Sequence, residues 1–139
     1  MCGISGFFNS DKKKIDQNIL TKFSKILNHR GPDNSGIYYN NYIGFCHNRL
    51  SILDLSSNGN QPIKNDRYVL IYNGEIYNFK DLKRGLVSRG YKFKSESDTE
   101  VLLKLYLDKG ENFLNDLNGI FSFAIWDKRR KSLILARDP

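Results

Sequence analysis

Arg67-Tyr68-Val69-Leu70-Ile71-Tyr72-Asn73-Gly74 is the stretch of sequence on which the fold turns. Its first part, rich in β-branched and aromatic side chains, predicts a strand, and Asn73-Gly74 is a dipeptide suited to a tight turn with positive backbone angles. Downstream, apolar spacing predicts helices over 80–89 and 99–109, the second with Val101, Leu102, Leu105 and Tyr106 on one face and Gly110 at its end. A short helix over 111–117 leads into Gly119-Ile120-Phe121-Ser122-Phe123-Ala124-Ile125-Trp126, a basic turn and Leu133-Ile134-Leu135, which together read as a hairpin. Upstream, residues 2–9 read as a strand that begins almost at the chain terminus. From Ile15 a helix is expected, because Ile19, Leu20, Phe23, Ile26 and Leu27 recur at helical spacing with Asp11 or Asp16 near the start. It ends before Arg30-Gly31-Pro32-Asp33. Segments 36–40, 42–48 and 49–53 predict short antiparallel strands, and 56–66 a polar loop. Strands, then helices, then strands make an α+β domain with mainly antiparallel sheets.

A chain of 139 residues with 40% hydrophobic content supports one packed core, as one domain or part of one. Its net charge of +7 comes from scattered residues, with short clusters only at Lys12-Lys13-Lys14 and Lys128-Arg129-Arg130-Lys131. That makes a basic surface and not a nucleic-acid stripe. No apolar run is long enough to span a bilayer, so a soluble, cytoplasmic protein with no membrane partner is expected. The two cysteines, Cys2 and Cys46, are too few for a secreted disulfide framework and are read as thiols.

Cys2 follows the initiator methionine, and its small side chain favours removal of Met1. A terminal Cys2 carries its thiol and a free α-amine on one carbon. The amine, with a reference pKa of about 7.7–8.0, is partly neutral near pH 7 and can accept the thiol proton. Nucleophile and base then reside in one residue, as in terminal-threonine enzymes. Position alone is weak evidence and favours a small second residue that has no role. Cys46, inside Ile43-Gly44-Phe45-Cys46, reads as a small buried hydrophobe. His29 and His47 are isolated and lack metal-ligand spacing, so no metal site is expected.

Five patterns occur in order along the chain: Met1-Cys2-Gly3-Ile4, His29-Arg30-Gly31-Pro32-Asp33-Asn34-Ser35-Gly36, Asn48-Arg49-Leu50-Ser51-Ile52-Leu53-Asp54, Asn73-Gly74-Glu75-Ile76-Tyr77-Asn78 and Ser97-Asp98-Thr99-Glu100. Together they resemble class II glutamine amidotransferases of the N-terminal nucleophile hydrolase type, and most closely the glutaminase domain of glutamine-dependent asparagine synthetases. The resemblance covers the whole chain. It implies a four-layer αββα sandwich and hydrolysis of glutamine through a Cys2 thioester, with ammonia passed on to amidate aspartate.

The resemblance also assigns roles. Asn73 through its side-chain N–H and Gly74 through its backbone N–H would bind the oxyanion, although the same dipeptide reads equally as a hairpin turn able to carry those donors. Arg49 suits the α-carboxylate of glutamine, against a surface salt bridge; Asp98 and Glu75 suit its α-ammonium, against simple helix capping by Asp98. The main chain of Leu50, Ser51, Ile52 and Leu53 lines the same pocket in the family. Arg30 to Asp33 shape a loop over the pocket or form a plain turn.

The family's domain is somewhat longer than this chain and continues past Arg137-Asp138, so a C-terminally incomplete domain is expected. No phosphate-cradling glycine loop occurs. No cofactor is expected here, ATP and Mg²⁺ belonging only to a synthetase domain that the resemblance places in the same chain. The resemblance also allows a homodimer. Two other readings stay open: a glutaminase serving a different ammonia acceptor, and a catalytically silent glutamine-binding or scaffold domain.

Overall fold

The computed structural model describes residues 1–11, 13–52 and 54–139. The first three strands are β1 (Gly3–Phe8), β2 (Asn34–Tyr39) and β3 (Ile43–Arg49), and they form an antiparallel sheet in the order β1-β3-β2. A second antiparallel sheet has the order β4-β5-β6-β7, built from β4 (Ile63–Lys64), β5 (Tyr68–Ile76), β6 (Gly119–Asp127) and β7 (Ser132–Arg137). Helix α1 (Gln17–Leu27) connects β1 to β2, while α2 (Phe79–Ser88) and α3 (Asp98–Lys109) lie between β5 and β6 in sequence.

Strand alternation explains the layering, because successive side chains leave opposite faces of a sheet. On β5, Tyr68, Leu70, Tyr72 and Ile76 pack with Leu86 of α2 and with Val101, Leu102 and Leu105 of α3. The intervening Val69 and Ile71 turn the other way and meet Ile43 and Phe45 of β3, with Ala124 and Trp126 of β6. A third cluster, Ile15, Leu20 and Cys46, joins α1 to the outer face of the first sheet. The result is the αββα sandwich, one helix on one side and two on the other. Trp126 lies fully buried between the sheets, with the rings of Phe8 and Tyr42 each 6.0 Å from its own.

Several local expectations are corrected. Asn73-Gly74 is no turn: both residues lie inside β5, Asn73 opposite Ser122 and Gly74 opposite Phe121. Nine consecutive cross-strand pairs with β6 outweigh the local turn preference of the dipeptide. Gly74 keeps a backbone angle that favours glycine, φ +154°, and a Cβ there would collide with the Ile120 carbonyl oxygen and lie 2.6 Å from Phe121 Cα. The chain leaves the ladder only after Ile76, where the Asn78 side chain donates to Asp116 O (2.8 Å) and accepts from Asn118 N–H (3.1 Å).

The strand expected over 49–53 does not form at residues 50–52, and Leu53 lies outside the described residues. Arg49 is the last residue of β3, and residues 50–52 run on as irregular chain held by Asp33, which donates its N–H to Arg49 O (3.0 Å) and accepts from Ser51 N–H (2.7 Å). Asp98 does not cap α3: Ser97 takes that place, its hydroxyl accepting from Glu100 N–H, and Asp98 is the first helical residue with its carboxylate turned inward. Of the two candidates at the start of α1, Asp16 is the cap.

Candidate active site

Antiparallel pairing of Gly3 with Asn48 brings the N-terminal end of β1 beside the exit of β3. Cys2 therefore faces Leu50: the Leu50 N–H donates to the Cys2 sulfur at 3.4 Å, and the thiol lies 3.7 Å from Leu50 O. The Cys2 carbonyl accepts from Arg30 Nε (3.2 Å), so the Arg30 side chain steadies the backbone that carries the thiol. Cys2 is half-buried. With Met1 attached, the Cys2 nitrogen is a peptide nitrogen and no amine. Cys46 is fully buried against Ile15 and Leu20, and burial pushes its thiol pKa up.

Cys2 opens onto a cavity of about 120 Å³. Arg49, Leu50, Ile52, Gly74, Glu75 and Asp98 line it as well, so seven of the residues singled out from sequence meet around one small space. Asn73 and Ser51 do not line it, and Leu53 lies outside the described residues. Larger grooves exist, about 620 Å³ along α2 and about 510 Å³ between the edges of the two sheets, but neither includes the Cys2 thiol or a buried carboxylate.

Arg49 is not on the surface, and among the described residues it forms no salt bridge. The residue is 7% exposed; Nη1 donates to Ser56 O (2.7 Å) and Asn60 Oδ1 (2.8 Å), and Nη2 donates to Asp54 O. Gly59 presses so close to Nη2 that a Cβ would collide with it. Three of the five N–H donors thus fold the 54–60 loop around the cation, and all three acceptors are neutral. Among the described residues no carboxylate forms an ion pair with Arg49. The Asp54 carboxylate is spent on the amides of Ser56 (2.8 Å) and Glu96 (3.2 Å). The Arg49 charge at the cavity wall thus has no direct carboxylate partner among the described residues, although, after the hydrogen bonds from Ser56, it helps to hold the nearby Asp54 carboxyl below its ordinary pKa.

Asp98 supplies the opposite sign. It is 4% exposed, and its Oδ2 accepts from the Tyr72 hydroxyl (2.6 Å) and from Ile76 N–H (3.1 Å). Burial raises its pKa above the usual carboxylate range, while the Tyr72 hydroxyl and the Ile76 amide act the other way. The Tyr72 phenol is pushed well up, by burial and by the Asp98 charge, and so remains a donor. A buried acid of this kind favours a cationic partner. Glu75 is exposed and marks the rim of the same cavity.

The oxyanion donors follow from strand geometry. In β5 the odd-numbered residues face β6 with their backbone groups: Arg67 O accepts from Lys128 N–H and Tyr77 N–H donates to Asn118 O, just beyond the two ends. Even-numbered groups point away: Tyr72 N–H donates to Gln61 Oε1 (2.7 Å) and Ile76 N–H to Asp98. Gly74 lies between them, so its N–H is turned to the same side, toward the cavity that it lines. The Asn73 side chain is placed otherwise. It is half-buried, and its Oδ1 has no hydrogen-bond partner among the described residues.

Sequence reasoning missed Tyr72 and Gln61, which hold this arrangement. Gln61 is buried, and its Nε2 donates to Thr99 Oγ1 (3.4 Å) while its Oε1 holds β5. Period-two spacing from Gly74 was the available signal for Tyr72. Gln61, in a polar loop, carried none.

Residues 1–139 match the glutamine amidotransferase domain family. The chain is 41% identical over 143 residues to an asparagine synthetase [glutamine-hydrolyzing] of Bacillus subtilis (strain 168), covering 99% of this chain and 23% of that protein. It is 42% identical over 142 residues to asparagine synthetase B [glutamine-hydrolyzing] of Escherichia coli (strain K12), covering 99% and 25%. Among solved structures, the glutamine phosphoribosylpyrophosphate amidotransferase of B. subtilis aligns with TM-score 0.57 at 28% identity, over 69% of this chain and 23% of that one. The chain spans about a quarter of the length of the curated relatives it matches. With a match over its full length and a sandwich shared with a solved amidotransferase, the chain belongs to the glutamine amidotransferase domain family.

Proposed function

We propose that this domain hydrolyses the side-chain amide of glutamine at Cys2. One observation carries the reading: a thiol, a buried guanidinium with no direct carboxylate partner among the described residues, and a buried carboxylate converge on a single cavity of amino-acid scale. Free glutamine presents an amide, a carboxylate and an ammonium, and these three groups match them. Arg49 receives the α-carboxylate and Asp98, with Glu75 at the rim, the α-ammonium. Leu50 and Ile52 flank the chain of the substrate.

In this reading Met1 is removed, and the Cys2 amine accepts the thiol proton. The sulfur attacks the amide carbon, and the oxyanion is bound by the Gly74 N–H and by the Asn73 side chain once its amide turns toward the site. Collapse expels ammonia with the proton that the amine held, leaving a γ-glutamyl thioester. Water then cleaves the thioester to glutamate and free thiol. We assign the ammonia to amidation of aspartate by a synthetase domain, and ATP and Mg²⁺ to that domain. Among the described residues no helix is long and apolar enough to cross a membrane, and we place the protein in the cytoplasm.

Ammonia release from glutamine by the processed chain tests the reading. Cys2→Ala is expected to reduce it by more than about a thousand-fold, whereas Cys46→Ala retains most of it. A glutamine-like electrophile should label Cys2; labelling confined to Cys46 would remove the basis of the assignment.

A further inference from the structure

β4 covers only Val69 and Leu70 of β5. Beyond it, the outer edge of β5 meets no strand among the described residues, yet Tyr72 and Ile76 on it are buried. Side chains serve them in place of a ladder: Gln61 takes the Tyr72 N–H, Asp98 takes the Ile76 N–H, and His47 reaches from β3 to the Tyr72 carbonyl, with Nε2 3.2 Å from the oxygen. A fully paired strand here would also have consumed the Gly74 N–H. Side-chain pairing leaves that one donor turned to the cavity.

His47 is the least expected of the three. It is fully buried in the central strand of the first sheet and faces the second sheet. A carbonyl only accepts, so Nε2 carries the proton and Nδ1 a lone pair, and Nδ1 has no partner among the described residues. Burial, aided by the nearby Arg49 charge and opposed by the Tyr72 carbonyl, pushes its pKa down to about 4, so the ring is neutral at physiological pH. For stability alone, an apolar side chain would fill the space without stranding a nitrogen.

We propose that His47 is a positioning residue for the oxyanion site: its Nε2–H fixes the Tyr72–Asn73 peptide, and thereby aims the Asn73 side chain and the Gly74 N–H. The inference rests on the glutaminase reading for its kinetic consequence, and on geometry alone for its structural one. Transition-state stabilisation by those donors depends on their aim, whereas the groups that grip the ends of glutamine are elsewhere.

The test uses His47→Gln, whose side-chain amide nitrogen falls near the position of Nε2, beside His47→Asn, which falls near Nδ1, and His47→Leu. In steady-state kinetics His47→Asn and His47→Leu should lower kcat about ten- to a hundred-fold, with KM for glutamine changed by less than about three-fold, and His47→Gln should recover most of the loss. Alkylation of Cys2 by iodoacetamide, which forms no oxyanion, should proceed at the wild-type rate in all three. Equal kcat in all variants, or a rise in KM alone, would overturn the proposal. So would equal loss in His47→Gln and His47→Leu.

If the wild-type chain releases no ammonia, the glutaminase reading fails separately, and NMR still decides the positioning. The Gly74 backbone and Asn73 side-chain amide resonances should move in His47→Leu and return toward wild type in His47→Gln. Resonances unmoved in every variant would refute the role.

Discussion

Residues 68–71 and 72–76 belong to one strand and one unbroken ladder with β6, yet they do opposite things. The first half is buried on both faces: Leu70 packs on the helices, Val69 and Ile71 on the facing sheet, and β4 covers its edge. The second half carries Asn73, Gly74 and Glu75, its edge is held by Gln61, His47 and Asp98, and the cavity opens against it. A rigid, apolar half anchors a polar half whose free donor would be hard to hold on a loop. Stability and chemistry are thus separated along a single strand, and substitutions can be chosen to affect one without the other.

Within this strand the largest effect is expected in the second half, at Gly74. In Gly74→Ala the new Cβ meets the main chain of β6, which cannot step aside as a flexible side chain could. Glutamine turnover should fall at least about a hundred-fold, with a stability loss of roughly 1–3 kcal/mol, measured by kinetics and urea melts on the same preparation. Retention of both would show that the two halves are less distinct than the geometry implies.

Asp98→Asn should divide them. Loss of the carboxylate leaves the substrate ammonium unpaired, so kcat/KM for glutamine should drop by the equivalent of about 2–5 kcal/mol. Stability should not follow. Because burial raises the folded-state pKa of Asp98, the folded chain holds that proton more tightly than the unfolded chain does. Its favourable contribution exists below the unfolded pKa and is lost as pH rises through the folded value, so at pH 7 the empty chain carries a cost that asparagine removes. Thermal melts at pH 7 should place the variant at or above wild type. For the wild type, KM for glutamine should climb on acidification at a pH above the ordinary aspartate range, and a pH-independent KM would detach Asp98 from substrate binding.

Leu70→Ala is the converse. It should cost about 2–5 kcal/mol of stability by emptying a fully buried site, while kinetics per folded molecule stay near wild type. A comparable fall in kcat would mean that packing of the first half tunes the second.

The smallest effect is assigned to Arg67→Ala, just before the strand. Its guanidinium donates to Asp127 at 2.7 Å, but the Arg67 side chain is 32% exposed and Asp127 keeps the Arg129 and Arg130 N–H groups, so the loss in a chemical melt should be smaller than that of Leu70→Ala.

The same division governs what could be read in advance. The apolar half of β5, the helical faces and the β6–β7 hairpin were legible, because burial imprints periodicity on sequence. Cys2 became a candidate only through the five ordered patterns, since its position beside the initiator methionine does not by itself assign it a role. Asn73-Gly74 was read as a turn because the pairing that overrides its local preference comes from β6, far along the chain. For Asp98, capping stood beside ammonium binding because a carboxylate at a helix start usually caps; the Tyr72 hydroxyl, brought in by the sheet, holds it inward instead. The three neutral acceptors around Arg49, and the edge contacts of Gln61 and His47, exist only in three dimensions and leave no pattern in a linear string.

Trp126 is the one tryptophan of the chain, and it is fully enclosed where the two sheets meet. It makes the protein its own optical probe. In the folded state its fluorescence should be blue-shifted and shielded from iodide or acrylamide, and the emission should move to the red only when the sheets part. Rearrangement of the 54–60 loop around Arg49, or loss of Met1, should leave the signal unchanged. A single unlabelled spectrum therefore distinguishes a variant with an altered site from one whose sandwich has come apart.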